Sequence, residues 1–126
     1  MKLNVIMVIN AVVAVVYGIA FVLVPAQVLS LYGITGGAPV EFMSQLFGAI
    51  LIGFAVLTWS ARNAADSDAR RSIVLALFVA FVISFIVALM GALEGFMNPL
   101  SWLTVAIYLF FASCFGYFLF ARPKAM

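Results

Sequence analysis

Residues 72–94 read SIVLALFVAFVISFIVALMGALE and contain no charged side chain before Glu94, the last residue of the run. About 20 predominantly apolar residues in an α-helix cross the roughly 30 Å hydrocarbon core of a bilayer. This run of 23 residues is therefore long enough to span a membrane. It predicts a transmembrane helix that begins directly after the charged segment ARNAADSDARR, residues 61–71.

Three further runs of similar length and composition surround the first, at residues 3–24, 40–60 and 100–121. Proline marks the breaks between them. Pro25 follows one run, and Pro39 and Pro99 lie at the start of two others, where the first turn of a helix needs no backbone donor. The pattern predicts four transmembrane helices joined by short connections.

Composition places the whole chain in a membrane. Of its 126 residues, 68% are hydrophobic and 8% are charged, and the mean hydropathy is +1.33. Soluble domains carry about 25% charged residues, and a 13.6 kDa chain is too small to bury this much apolar surface in its own core. We therefore predict an all-α polytopic membrane protein, a four-helix up-down bundle in one membrane domain spanning residues 1–126.

A short amphipathic segment separates the first two runs. Residues 25–32, PAQVLSLY, are too few to cross a bilayer, and they combine apolar side chains with the polar Gln27 and Ser30. Gly33 follows them and suits the left-handed conformation that often ends a helix. We expect a short helix lying in the membrane interface.

The first run also has an alternative interpretation as a cleaved signal peptide, because Lys2 precedes it and small residues follow it. Its apolar stretch is longer than a typical signal core, and no A-x-A cleavage pattern follows. Removal of this run would leave an odd number of spans. We expect the run to be retained as a membrane span.

The positive charges predict the orientation of the helices, since Lys and Arg near span ends stay on the cytoplasmic side. One arrangement accommodates all of them, with both termini and the loop between the second and third spans in the cytoplasm. Glu41 and Glu94 then lie near the outer surface. The six positive residues are Lys2, Arg62, Arg70, Arg71, Arg122 and Lys124.

Small residues recur along the third span and predict close helix packing. Lipid supplies no hydrophobic drive between helices, so small side chains that let backbones approach favour association. A repeat of four residues drifts around a helix of 3.6 residues per turn, so the stripe should touch more than one neighbour. Its members are Ser72, Ala76, Ala80, Ser84, Ala88 and Ala92.

Several chemistries are excluded by the residues that the chain lacks. It has no histidine and one cysteine, Cys114, so it offers no His or Cys metal cluster, no bis-His haem site and no Ser-His or Cys-His nucleophile. The net charge of +2 suits lipid headgroups better than nucleic acid. We expect no cofactor, no metal, no nucleic-acid partner and no enzymatic activity.

Four polar residues are expected in the outer half of the bundle, and together they could line a binding site. Asn10 lies nearer the inner edge and is expected to be too deep to join them. Structural roles remain open for the same residues, since polar side chains link helices and an acidic residue complements a helix dipole. The candidates are Tyr17, Glu41, Gln45 and Tyr108.

The segments LVPAQVLSLYGI, LFGAILIGFAVLTWSAR, IVLALFV and GYFLF resemble a family of small bacterial four-span membrane proteins of unknown function. The resemblance extends over nearly the whole chain. It implies a four-helix bundle in the bacterial cytoplasmic membrane, and it carries no activity, cofactor or site residue.

Two functional hypotheses follow from these features. The leading one is a non-enzymatic protein that acts through helix association, as a homo-oligomer or as an accessory subunit of a larger membrane assembly. The alternative is a conduit or binding protein for a small solute, an ion or a lipid-like ligand. The expected partners are the bilayer, further copies of the chain or other membrane subunits, and a lipid or small apolar ligand.

The orientation is open to a direct test with a cysteine at position 67. In a Cys114→Ser background, Ser67→Cys should react with an impermeant thiol reagent only after the cells are permeabilised, because the 61–71 loop is expected inside. Labelling of this residue in intact cells, to the same extent as in permeabilised cells, would contradict the orientation.

Overall fold

The computed structural model describes residues 2–95 and 97–121, and this part of the chain forms an all-helical bundle. The four helical stretches that begin at Leu3, Gly37, Asp68 and Ser101 are each long and apolar enough to cross a membrane. This confirms the all-α fold with four membrane spans, and the chain is a multi-pass membrane protein. The α-helices are α1 (Leu3–Leu23), α2 (Pro25–Leu31), α3 (Gly37–Ala61), α4 (Asp68–Glu94) and α5 (Ser101–Gly116), and a π-helical turn (Tyr117–Ala121) continues α5.

Helices α3 and α4 begin before the apolar runs that mark them in the sequence. Helix α4 starts at Asp68 rather than at residue 72, because Ser67 Oγ accepts a hydrogen bond of 3.2 Å from the backbone N–H of Arg70 and caps the first turn. Hydropathy locates the apolar stretch of a helix and misses a polar first turn.

The positively charged Arg122 and Lys124 lie outside the described residues.

The long helices form two closely packed pairs, α1 with α3 and α4 with α5. Both pairs are antiparallel. In the first, Gly18 lies opposite Gly48, and the later residue Val22 contacts the earlier residue Gln45. In the second, Phe78 lies beside Gly116, and the later residue Phe81 stacks on the earlier residue Phe111. We call the end of the bundle that contains Lys2, Arg62 and Arg70 the charged end. The opposite end, with Tyr17, Tyr32 and Tyr108, is the tyrosine end.

Backbone contact between two glycines holds α1 against α3. A Cβ atom added to Gly48 would lie 2.7 Å from the carbonyl oxygen of Gly18, and one added to Gly18 would lie 2.9 Å from the carbonyl oxygen of Gly48. Both residues are buried, and neither position has room for a side chain. Such close approach supplies the van der Waals contact that associates helices in lipid.

Large apolar side chains join the two helix pairs toward the charged end. The Phe81 ring stacks against both Phe111 and Phe115, with centroid distances of 5.2 and 6.0 Å. Helix α1 contributes its first two turns to the same cluster. Its buried members include Leu3, Ile6, Met7, Ala61, Val74, Leu77, Phe81, Phe111, Phe115 and Leu119.

The stripe of small residues on α4 changes its exposure along the helix. Ser72 and Ala76 are exposed, the three central members are half-buried, and Ala92 is buried. Near the charged end, the buried face of α4 is formed instead by Val74 and Leu77. Association of a second subunit through the stripe stays a prediction.

Asn98 ties the two helix pairs together at the tyrosine end. Its backbone N–H donates to the Tyr32 carbonyl at 2.9 Å, and its Nδ2 donates to the Leu31 carbonyl at 2.6 Å. Its Oδ1 accepts from the Leu100 N–H at 3.0 Å, just before α5 begins. Gly33, at φ 75°, has a left-handed conformation beside Asn98 that favours glycine. The end of α2 is therefore fixed to the start of α5.

The glycine contact predicts a selective effect of adding one methyl group. Gly48→Ala should lower the free energy of unfolding by about 1–3 kcal/mol, because the helices must separate to accept the new Cβ. Gly53→Ala is the matched control, since it lies on the same helix with nothing within 4 Å of its added Cβ. Thermal unfolding in detergent measures both variants. Equal stability of the two would contradict the packing role of Gly48.

Candidate binding site

A pocket of about 170 Å³ lies between the two helix pairs, near the tyrosine end. All five α-helices or their adjoining segments contribute to its wall. Its described lining residues include no charged side chain, and most of them are apolar. The polar ones are Asn10, Tyr17, Tyr32, Thr104 and Tyr108.

Asn10 is the most unusual of these polar residues. It lies in the first half of α1, is 2% exposed, and lines the pocket. Its side-chain Oδ1 has no hydrogen-bond partner. A buried amide oxygen without a partner costs about 1–3 kcal/mol, so native proteins seldom leave one unpaired. The Asn10 carbonyl is thus a buried acceptor without a partner, on a side chain that lines the pocket.

Hydroxyl groups from three segments form a network in another part of the wall. Tyr32 is 9% exposed at the end of α2, and its hydroxyl donates to the Tyr17 hydroxyl at 3.3 Å. The same Tyr32 oxygen lies 2.8 Å from Thr104 Oγ1, in a hydrogen bond that either atom could donate. The network therefore connects α1, the end of α2 and α5.

Aromatic rings form much of the apolar wall. Phe47 packs edge-on against Phe21 with a centroid distance of 5.4 Å, and Phe81 lies 6.0 Å from the Tyr108 ring. Phe47 both lines the pocket and is 41% exposed. Part of the pocket wall is therefore also part of the surface of the bundle.

The structure brings together two of the four residues named from the sequence as an outer polar cluster. Tyr17 and Tyr108 line the pocket, whereas Glu41 and Gln45 are not among its lining residues. Gln45 is exposed and its Nε2 donates to the Val22 carbonyl at 3.1 Å, which links α3 to α1. Glu41 is half-buried on α3.

The expectation that Asn10 lies too deep to join the tyrosines was wrong. Asn10 and Tyr17 are seven residues apart on α1, which is nearly two full turns, so their side chains share one face. The pocket extends along this face and includes both residues. The two residues lie at different depths along α1, and the pocket extends over both depths.

Sequence reasoning missed Tyr32 and Thr104. The pattern of residues 25–32 identifies Tyr32 only as an apolar member of an interfacial helix. Its partner Thr104 lies 72 positions away, in a span of ordinary composition. No local signal indicates this contact, because it depends on how the end of α2 docks onto α5.

Other reactive groups lie away from the pocket. Cys114 is half-buried on α5 and is not a lining residue. In residues 2–95 and 97–121, no three His, Cys, Asp or Glu side chains lie close enough together to hold a metal ion.

No protein-family model, curated protein or solved structure matches this chain. The chemistry of the pocket is therefore inferred from its own residues.

The unpaired oxygen of Asn10 predicts that the polar side chain at this position lowers the stability of the protein. Asn10→Leu should raise the free energy of unfolding by about 1 kcal/mol, since an apolar side chain of similar size removes the unpaired group. The control is Asn4→Leu on the exposed surface of the same helix, which should change stability much less. Destabilisation by Asn10→Leu would show that the oxygen is already satisfied.

Proposed function

We propose that the protein binds a small, uncharged and largely apolar molecule in the pocket between its helix pairs. The observation that carries this proposal is the buried Asn10 Oδ1, an acceptor without a partner on a side chain that lines a largely apolar pocket. A ligand with one hydrogen-bond donor would satisfy this oxygen once the Asn10 amide turns toward the pocket. Its apolar remainder would fill the space between the aromatic rings.

The size of the pocket limits the ligand. An engineered apolar cavity of about 150 Å³ in another protein holds benzene. The pocket here, at about 170 Å³, accommodates a single six-membered ring or a short branched chain. A bulky sterol or a whole phospholipid exceeds this volume, although the end of a longer chain could enter it.

The lining of the pocket favours an uncharged ligand. Burial of an ion without a counter-charge is strongly unfavourable, and the described lining residues carry none. The wall instead offers the Asn10 carbonyl and the hydroxyls of Tyr17, Tyr32 and Thr104. A neutral alcohol, phenol or aromatic amine suits this combination of groups.

A ligand of this kind partitions into membranes and would reach the pocket from the bilayer. Phe47 supports this route, since its side chain both lines the pocket and is 41% exposed at the surface of the bundle. Rotation of one aromatic side chain is a small barrier compared with separation of the packed helices.

Binding fits the geometry better than the association hypothesis does. The pocket is formed within one chain, so it requires neither a second copy nor a larger assembly. Its polar groups are an amide and hydroxyls, with no nucleophile beside a general base in the described wall, and we therefore propose a binding role without catalysis. Action as a homo-oligomer or accessory subunit stays a prediction.

The location that we propose is the bacterial cytoplasmic membrane, with both termini in the cytoplasm. The clustering of Lys2, Arg62 and Arg70 at one end of the bundle supports this orientation. The pocket then lies toward the outer half of the membrane.

Phenol and toluene test the proposal as a matched pair of probes, because both contain one ring and only phenol carries a donor. Phenol should bind the purified protein in detergent, and Asn10→Leu should weaken its binding about tenfold through loss of the hydrogen bond. Toluene binding should not weaken in the variant. Benzoate, which adds a charge, should not compete with phenol.

Dissociation constants from calorimetric titration decide the outcome, with Asn4→Leu as the surface control. Equal weakening of phenol and toluene by Asn10→Leu would mean that the pocket has lost its shape rather than an acceptor. Identical phenol affinity in the wild type and in Asn10→Leu would contradict the proposed role of Asn10.

A further inference from the structure

A second pocket, of about 410 Å³, lies at the charged end of the bundle, where the first residues of α1 meet the connection between α3 and α4. It differs from the first pocket in having polar and positively charged walls. Phe118, in the π-helical turn, contributes an apolar side chain to its lining. The polar lining residues are Lys2, Asn4, Arg62, Asn63 and Arg70.

Positive charge dominates this second pocket. Three of its lining residues are cationic, and its described lining residues include no carboxylate. Asp66 forms an ion pair with Arg70, with its Oδ1 3.7 Å from Arg70 Nη2 and its side chain 53% exposed. This partly solvated carboxylate pairs with one of the three cations, so the described lining keeps an excess of positive charge that favours an anion.

Contacts with neighbouring residues of the α3–α4 connection hold the Arg70 side chain in place. Its Nη1 donates to the Ala64 carbonyl at 3.0 Å, and its side chain is only 13% exposed. Its Nε is buried and has no hydrogen-bond partner. The guanidinium is therefore fixed by the α3–α4 connection while one of its donors remains unused.

Arg62 is also positioned by its neighbours. Its guanidinium carbon lies 3.9 Å from the ring centroid of Trp59, and its Nη1 donates to the Trp59 carbonyl. This contact fixes one face of the guanidinium and holds the charge at the rim of the pocket. Lys2 approaches from the start of α1, and the amides of Asn4 and Asn63 offer further donors.

We propose that this second pocket binds a phosphate group. A phosphate presents several acceptor oxygens at once and pairs well with arginine and lysine. Basic pockets between transmembrane helices on the cytoplasmic side recognise anionic lipid headgroups. A glycerophospholipid in the adjacent leaflet and free inorganic phosphate are the two sources of this chemistry. The inference does not depend on the neutral ligand proposed for the first pocket.

Calorimetric titration of the delipidated full chain in detergent distinguishes these sources. The probes are dihexanoyl-phosphatidylglycerol, inorganic phosphate and dihexanoylglycerol, which has the same chains without the phosphate. Tighter binding of the phospholipid than of inorganic phosphate identifies a lipid source, and equal binding identifies free phosphate. Either result supports a phosphate site, provided that dihexanoylglycerol binds much more weakly than the phospholipid.

Variants that each remove one positive charge test whether the phosphate binds in this pocket. Lys2→Gln and Arg62→Gln should each weaken phosphate binding about fivefold, the effect expected for one basic residue near a membrane surface. Arg71→Gln is the matched control, because Arg71 is exposed, adjacent to Arg70 and not among the lining residues. It should change the affinity less than about twofold if binding is local rather than diffuse. Arg70 stays unaltered because it also holds the α3–α4 connection.

Three results would overturn the inference. One is equal weakening by Arg71→Gln and by the two pocket variants, which would indicate diffuse attraction to the charged end. The second is unchanged affinity in both Lys2→Gln and Arg62→Gln, and the third is equal affinity for dihexanoylglycerol and the phospholipid. The thermal unfolding temperature in detergent should be the same in all these variants, which shows that the bundle is intact.

Discussion

The close approach of α1 and α3 through Gly18 and Gly48 is the contact on which the arrangement of the bundle depends. In lipid, helices gain little from hiding apolar surface, so association relies on backbones that fit closely together. Helices α4 and α5 meet differently, through the stacked rings of Phe81, Phe111 and Phe115. The backbones of α1 and α3 are therefore in direct contact where the helices cross, whereas large aromatic side chains fill the contact between α4 and α5. The two pairs join firmly at the charged end and leave a pocket near the tyrosine end.

The two ends of the bundle differ in chemistry as well as in packing. At the tyrosine end, Asn98 fixes the end of α2 to the start of α5, and the Tyr32 hydroxyl network lines a neutral pocket that also includes Asn10. At the charged end, Arg62 and Arg70 are fixed around a pocket that suits an anion. A protein with these features could bind an apolar molecule while it remains anchored to phosphates at the membrane surface.

Much of the fold follows from the sequence because span length and apolar composition are local properties. The four spans and the short helix after Pro25 are visible in this way, and Ser67 explains why α4 begins earlier than its apolar run. The pocket is less predictable, since it depends on which residues meet across helices. Gly48 and Gly53 look alike in sequence, yet only Gly48 contacts another helix closely. Likewise, no pattern links Tyr32 to Thr104.

The proposed binding role depends on a hydrogen bond that the Asn10 carbonyl accepts from a bound neutral molecule. The most direct measurement is the ¹³Cγ chemical shift of Asn10 in labelled protein, with and without saturating phenol. We expect a downfield shift at Asn10 and no change at Asn4, on the exposed surface of the same helix. An unchanged Asn10 resonance at saturating phenol would contradict the claim.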